Sequence, residues 1–183
     1  MSARVIYVMG VPASGKSTVF RTIRTRLFAA PEHVSSGLYK GVRSGPFHMC
    51  GVFDGSTFEG TDKLSNTAIG DALKFYHELD AQPGRHVIFV EGDRLLCKRF
   101  ISETRANVFL IDADAAVLRA RRSARAKRGE CQSEKFLKAK RTKIENMKAA
   151  LGDRLRTFWN NEPGDASRIA YTLERLARKW IEG

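Results

Sequence analysis

Residues 10–17 read GVPASGKS, with two glycines five positions apart and Lys16 and Ser17 directly after the second. This satisfies G-x-x-x-x-G-K-[ST] at every defined position, between an apolar run suited to a strand and a segment suited to a helix. Gly10 and Gly15 let the backbone turn and approach an anion with no Cβ in the way. Pro12, Ala13, Ser14 and Gly15 form the wall of the loop, whose N–H groups point at phosphate together with those of the first helical turn. Lys16 can reach the β and γ phosphates, and Ser17 can give an oxygen to Mg²⁺. Thr18 stands at the helix N-terminus. The expected ligands are ATP and Mg²⁺. The motif leaves open whether the phosphoryl group goes to water or to another molecule.

Carboxylates at strand ends are the second set. HVIFVEGD (86–93) ends an apolar run in Glu91 and Asp93, and ligands of open α/β sheets sit outside the carboxyl ends of their strands. Glu91 can orient Mg²⁺, and either acid can accept the proton of an attacking hydroxyl. Arg94 follows at once, where an arginine can hold acceptor phosphate or developing charge. Asp54, in FDG, ends another candidate strand and is an acceptor-side candidate, although an Asp before Gly is also common in turns for local reasons. Asp112 ends a further strand and is expected to cap the helix after it.

The third set is basic. Residues 119–143 hold eleven Lys or Arg against Glu130 and Glu134, a balance of 11 − 2 = +9 in a chain whose total is +12. Phosphoryl transfer spreads charge over the transferring group, and arginines on a closing segment can neutralise it. Arg121, Arg125 and Arg128 fall on one helix face, and Gly129 is a candidate hinge, so 119–133 is read as an Arg-rich lid. A lid needs only one to three arginines. The surplus, with Lys135, Lys138 and Arg141 as its candidates, suits a second polyanion such as DNA or a merely solvated helix face.

Elements able to position these groups follow from periodicity. Apolar runs at 4–9, 47–55, 86–93 and 107–112 read as strands, with 154–160 as a possible fifth; 31–46, rich in Gly and Pro, reads as loop. Helical spacing marks 16–29, a segment around 69–79, 94–101, 115–128, a helix capped by Ser133 that runs to about Leu151, and a last helix with Ile169, Leu173, Leu176 and Trp180 on one face. The expected fold is α/β: one domain over 1–183, with a mainly parallel sheet of about five strands and helices on both faces. The 183 residues, 43% hydrophobic, suit one core. No uninterrupted apolar stretch suits a membrane span, and the N-terminus has no signal-peptide pattern, so a cytoplasmic protein is expected. The three cysteines and four histidines are scattered and suggest neither a disulfide framework nor a zinc site.

Four segments together resemble one family: GVPASGKSTV (10–19), FEGTDKLS (58–65), VIFVEGDRL (87–95) and RGECQSEKFLKAKRTKI (128–144). They are similar to the bacteriophage P-loop 5-hydroxymethyluracil DNA kinases of thymine hypermodification. The phosphate loop is shared by many families, whereas GTDKLS and QSEKFL…RTKI are more particular. The resemblance implies an ATP- and Mg²⁺-dependent kinase acting on the hydroxymethyl group of a base within DNA. It implies phosphate and metal binding at Gly15, Lys16, Ser17 and Thr18, a reaction centre near Glu91, Asp93 and Arg94, acceptor contacts at Asp54 and 60–63, and a lid at Arg121, Arg125 and Arg128. Asp54, Glu91 and Asp93 all remain open as the general base, and hydroxymethylcytosine stays open as the acceptor base because no residue here reads a base edge by itself. A small-molecule nucleoside or nucleotide kinase is the alternative, and a nucleotide-regulated nucleic-acid-binding protein a further one. Asn160 and Asn161 can approach an adenine or simply form a turn.

Overall fold

Alternation along the first apolar run makes it the centre of a sheet. In the computed structural model, which describes residues 2–54, 60–127, 129 and 132–183, β1 (Ala3–Met9) sends Ala3, Val5, Tyr7 and Met9 to one face and Ile6 and Val8 to the other, all buried. The chain continues through α1 (Lys16–Leu27), β2 (Glu32–Ser36), β3 (Tyr39–Ser44), β4 (Phe47–Cys50), α2 (Ile69–Asp80), β5 (His86–Glu91), α3 (Lys98–Glu103), β6 (Asn107–Asp112), α4 (Ala115–Ala126), α5 (Glu134–Leu151), β7 (Arg156–Trp159) and α6 (Asp165–Glu182). The sheet order is β2-β3-β4-β5-β1-β6-β7. The five strands from β4 to β7 pair in parallel, with Val8 beside Glu91 and Asp112 beside Trp159.

The sheet therefore has seven strands where the sequence suggests about five. The five expected strands are the parallel ones, although the one at 47–55 stops at Cys50. The surplus pair comes from 31–46, expected to be loop. Here Gly37 and Gly45, at φ of 57° and 55°, head two-residue connections in the left-handed region, so the glycines tighten hairpins where they were expected to interrupt structure. Gly41 lies inside β3, where a Cβ would come within 2.8 Å of the Met49 carbonyl.

Two cores hold the helices. One packs α2, α3 and the Ile144, Met147 and Leu151 edge of α5 against Val5, Tyr7, Met9, Ile88 and Val90. The other packs α1 and α6 against Ile6, Val8, Val87, Phe89, Phe109 and Ile111. Each fully buried large side chain in these layers contributes about 2 kcal/mol. Arg4, between buried neighbours on β1, lays its guanidinium 3.5 Å from the Trp180 ring centre and so ties α6 to the sheet. Among the described residues no helix is long and apolar enough to cross a membrane.

Two helix starts separate expectation from outcome. Ser133 caps α5 as expected, its Oγ accepting from Phe136 N at 3.2 Å. Asp112 ends β6, but its Oδ1 accepts from its neighbour Ala113 N, and Asp114 takes the N-cap position of α4. The third helix starts later than expected, at Lys98, behind an N-capping Cys97 whose Sγ accepts from Phe100 N.

Candidate active site

The loop between β1 and α1 is shaped by contacts that only glycine permits. A Cβ at Gly10 would lie 2.3 Å from the Ile111 carbonyl oxygen; one at Gly15, where φ is 100°, would lie 2.0 Å from Asn160 Nδ2. Ala13 also sits in the left-handed region at φ 72°. Asn160, buried at the end of β7, donates from Nδ2 to the Ser14 carbonyl at 2.7 Å. It thus fastens the loop from outside, a role its sequence position did not suggest. Asn161 accepts the Asp114 N–H through Oδ1 at 2.8 Å. Lys16 turns inward and donates to the Val11 carbonyl at 3.2 Å. Burial lowers its pKa, and the nearby Glu91 and Asp62 carboxylates oppose that shift.

Glu91 closes β5 beside this loop and is buried. Burial pushes its pKa up to about 7; Lys16 and a hydrogen bond from Ser17 pull it down, and Asp62 pushes it up. Among the described residues its Oε2 has no hydrogen-bond partner. The segment after the undescribed residues 55–59 is laid directly on it. Gly60 pairs with Val52 through two backbone bonds of 3.0 and 2.8 Å, and a Cβ there would fall 2.9 Å from Glu91 Oε1. Thr61 Oγ1 donates to the Glu91 carbonyl, and a short 3-10 turn (Thr61–Lys63) brings Asp62 to the cleft.

The cleft, of about 260 Å³, joins the loop to Asp62, Glu91, Asp93, Arg94, Arg125 and the inner side of α5. The cleft sets the glycine-rich loop beside carboxylates and the Lys16 and Arg125 cations, and it is built from segments far apart in sequence. The P-loop Nucleotide Kinase3 family matches residues 1–159. The chain belongs to that family.

As a P-loop kinase the protein is a phosphotransferase. No curated protein matches it. Among solved structures it is similar to an unliganded sugar kinase from Janibacter sp. HTCC2649, at 16% identity and a TM-score of 0.45, with 98% of this chain and 95% of that one covered. It is also similar to a gluconokinase from Sinorhizobium meliloti 1021, at 16% identity and a TM-score of 0.43, covering 96% and 98%.

The expected site residues of this P-loop kinase divide by position. Gly10, Pro12, Ala13, Gly15, Lys16 and Ser17 line the cleft, as do Glu91, Asp93, Arg94 and Arg125. Ser14 is buried behind the loop, and Thr18 lies outside the lining, its N–H bonded to the Gly15 carbonyl at 3.0 Å. Asp54 is not brought to the cleft: it pairs with Lys63 at 2.7 Å and lines a separate groove beside β3. β4 ends at Cys50, four residues before Asp54, so the strand does not carry Asp54 to the sheet's carboxyl edge as expected. Arg121 is half-buried and is not among the lining residues, and Arg128 lies outside the described residues.

Lys135 and Lys138 face outward on α5; Arg141 borders a gap against Arg119 and Arg122 of α4. The α5 lysines that reach the cleft are Lys140 and Lys143. Lys140 Nζ pairs with Asp93 Oδ2, and Lys143 Nζ donates to the Asp93 carbonyl at 2.6 Å. Arg94 donates to Asn66 Oδ1. Asp62 falls in 60–63, the segment that the resemblance puts on the acceptor side, whereas Lys140 and Lys143 are cleft residues that the sequence did not single out. The two lysines were legible in principle, because Phe136, Lys140, Lys143 and Ile144 share the face that holds α5 to the core.

Proposed function

We propose that this P-loop kinase transfers the γ-phosphoryl group of ATP, with Mg²⁺, to a hydroxyl of a nucleoside- or nucleotide-type acceptor. The observation that carries this is the single cleft holding Lys16, Ser17, Glu91, Asp62 and Arg125. The oxygen donors fit Mg²⁺, which prefers hard ligands and commonly takes only one or two carboxylates besides phosphate and water. Ser17 and Glu91, with its unpartnered Oε2, would hold it. When bound, the ion supplies positive charge to the β and γ oxygens.

The chain's own groups do the rest. Loop N–H groups and Lys16 hold the donor phosphates in place. Arg125 stands ready for charge that spreads over the transferring group. Asp62, close enough to Glu91 to raise its pKa, is the carboxylate free to accept the acceptor's proton; Asp93 is less suited because Lys140 occupies one of its oxygens. Arg94 borders the acceptor side.

The family description favours a free nucleoside or nucleotide acceptor. A second reading is the hydroxymethyl group of hydroxymethyluracil, or of hydroxymethylcytosine, within DNA. The exposed Lys135, Lys138 and Arg141 and the four-segment resemblance support it. γ-Labelled ATP should be offered with free 5-hydroxymethyl-2′-deoxyuridine, other nucleosides, hydroxymethyluracil DNA, plain DNA and gluconate side by side. Label in nucleosides supports the first reading. Label in modified DNA, falling steeply with added salt as counterions compete, supports the second. Label in gluconate alone, or in none of these acceptors, overturns both.

A further inference from the structure

One face of α5 carries a group that phosphate chemistry does not need. Phe136 lies in the first turn, which Ser133 caps, and it lines the cleft while 40% exposed. A lone exposed apolar side chain is ordinary on a protein surface. Leu38, Trp159 and Tyr171 are also exposed, yet none of them lines this cleft. Phe136 differs further in how it is held. Lys140 Nζ stands 4.8 Å from its ring centre while pairing with Asp93. Lys143 binds the Asp93 carbonyl one turn on, and the neighbouring Leu137 and Ile144 are buried. The ring is therefore part of a fixed wall, with the remainder of its surface open.

Topology says which substrate that wall meets. The phosphate loop springs from β1; Asp93 and Arg94 follow β5 on one side of it, and Asn160 follows β7 on the other. Through Lys140, Phe136 belongs to the β5 side, with Asp62 and Arg94. That is the side of the proton-accepting carboxylate, hence of the acceptor. Gln132 also lines the cleft and offers an amide within the same wall.

We infer that Phe136 is a stacking platform for the heterocyclic base of the acceptor, carried on a helix that Lys140 and Lys143 pin to Asp93. This rests on the nucleotide-type acceptor proposed above and narrows it to a planar base bearing the reacting hydroxyl. Stacking on one aromatic side chain is sequence-tolerant and strong enough that removing the ring weakens base binding by about tenfold or more.

Photo-crosslinking to the unaltered protein tests the platform without phosphoryl transfer. The probes are 5-iodo-2′-deoxyuridine monophosphate and a short oligonucleotide containing 5-iodouracil. The crosslinked peptide is expected to contain Phe136 with one or both probes, and which probe reacts separates a free from a polymeric acceptor. Kinetics with whichever acceptor is phosphorylated give the second arm. Phe136→Leu should raise acceptor KM about tenfold with KM for ATP unchanged, and Phe136→Trp should restore it. A crosslink elsewhere, no crosslink, or an acceptor KM within twofold of wild type in Phe136→Leu overturns the platform. A crosslink at Phe136 with no acceptor phosphorylated would sink the transfer reading and leave the platform standing. Phosphorylation with the crosslink elsewhere would do the reverse.

Discussion

The loop between β1 and α1 and the basic α4–α5 hairpin both carry groups suited to anions, but they are built on opposite principles. The loop is over-determined: Gly10 abuts the Ile111 carbonyl, Gly15 abuts Asn160, and Ser14 and Ala13 are buried. α4 has no buried residue at all, and Arg119, Arg122 and Arg125 line the gap against α5. One region positions charge by packing and hydrogen bonding, the other by number. In the first, a single atom out of place is felt. In the second, most single changes should be absorbed, except where one residue enters the cleft.

Breaking the packed region should give the largest effects. Lys16→Ala and Glu91→Gln are each expected to lower kcat by about 10²–10³ or more, with unfolding temperature nearly unchanged, in a γ-phosphate transfer assay. Asn160→Ala leaves the Ser14 carbonyl without its partner and empties the space beside Gly15. It should cost about 1–3 kcal/mol of stability and raise KM for ATP, measured by denaturant unfolding and steady-state kinetics. The contrast sharpens within α4 itself. Arg125→Ala should lower kcat tenfold or more, whereas Arg121→Ala, outside the lining, should change it less than threefold. The outer face of α5 should respond least in rate. Replacing Lys135, Lys138 and Arg141 together by Ala should leave kcat on a free nucleoside unaltered. If DNA is bound, the salt slope of its affinity should fall by up to about 0.9 for each phosphate that these side chains no longer neutralise.

The smallest catalytic effect is expected far from the cleft, where pH acts on stability instead. His48 is buried on β4, both ring nitrogens lack partners among the described residues, and the His86 ring lies 5.6 Å away with Phe75 alongside. Burial, aided by His86 and Arg43, lowers its pKa to about 4. As pH falls below about 6.5 the unfolded chain takes up a proton that the folded chain refuses until about 4. Stability should therefore drop across that window, by up to roughly 3 kcal/mol, and be independent of this group above it. His48→Phe should flatten that part of a pH–unfolding curve without changing activity at neutral pH.

What the sequence disclosed follows from how local each signal is. The phosphate loop, the five parallel strands and the Ser133 cap each depend on residues within a few positions of one another, and each is legible. The position of Asp54 outside the cleft was not legible, because the end of β4 is set by pairing with β3 and β5, which composition does not record. Asp62 was reached only through the resemblance of its segment, because its place depends on Gly60 bonding to Val52 and on Thr61 reaching the Glu91 carbonyl. Lys140 and Lys143 were lost among eleven cations, since counting charge ignores which side of a helix faces Asp93. The β2–β3 hairpin was obscured by the same glycines that make its turns.

That hairpin also determines how the sheet ends. A sheet with this much apolar backbone presents a risk of joining to a neighbouring chain at its rim. β2 forms one rim and is short and polar: Glu32, His33, Ser35 and Ser36 occupy four of its five positions, and Glu32 is paired with Arg43 at 2.7 Å. Strand addition there would have to bury that ion pair and those hydroxyls. The two unforeseen strands thus place a short polar edge between the apolar parallel strands and that rim of the sheet.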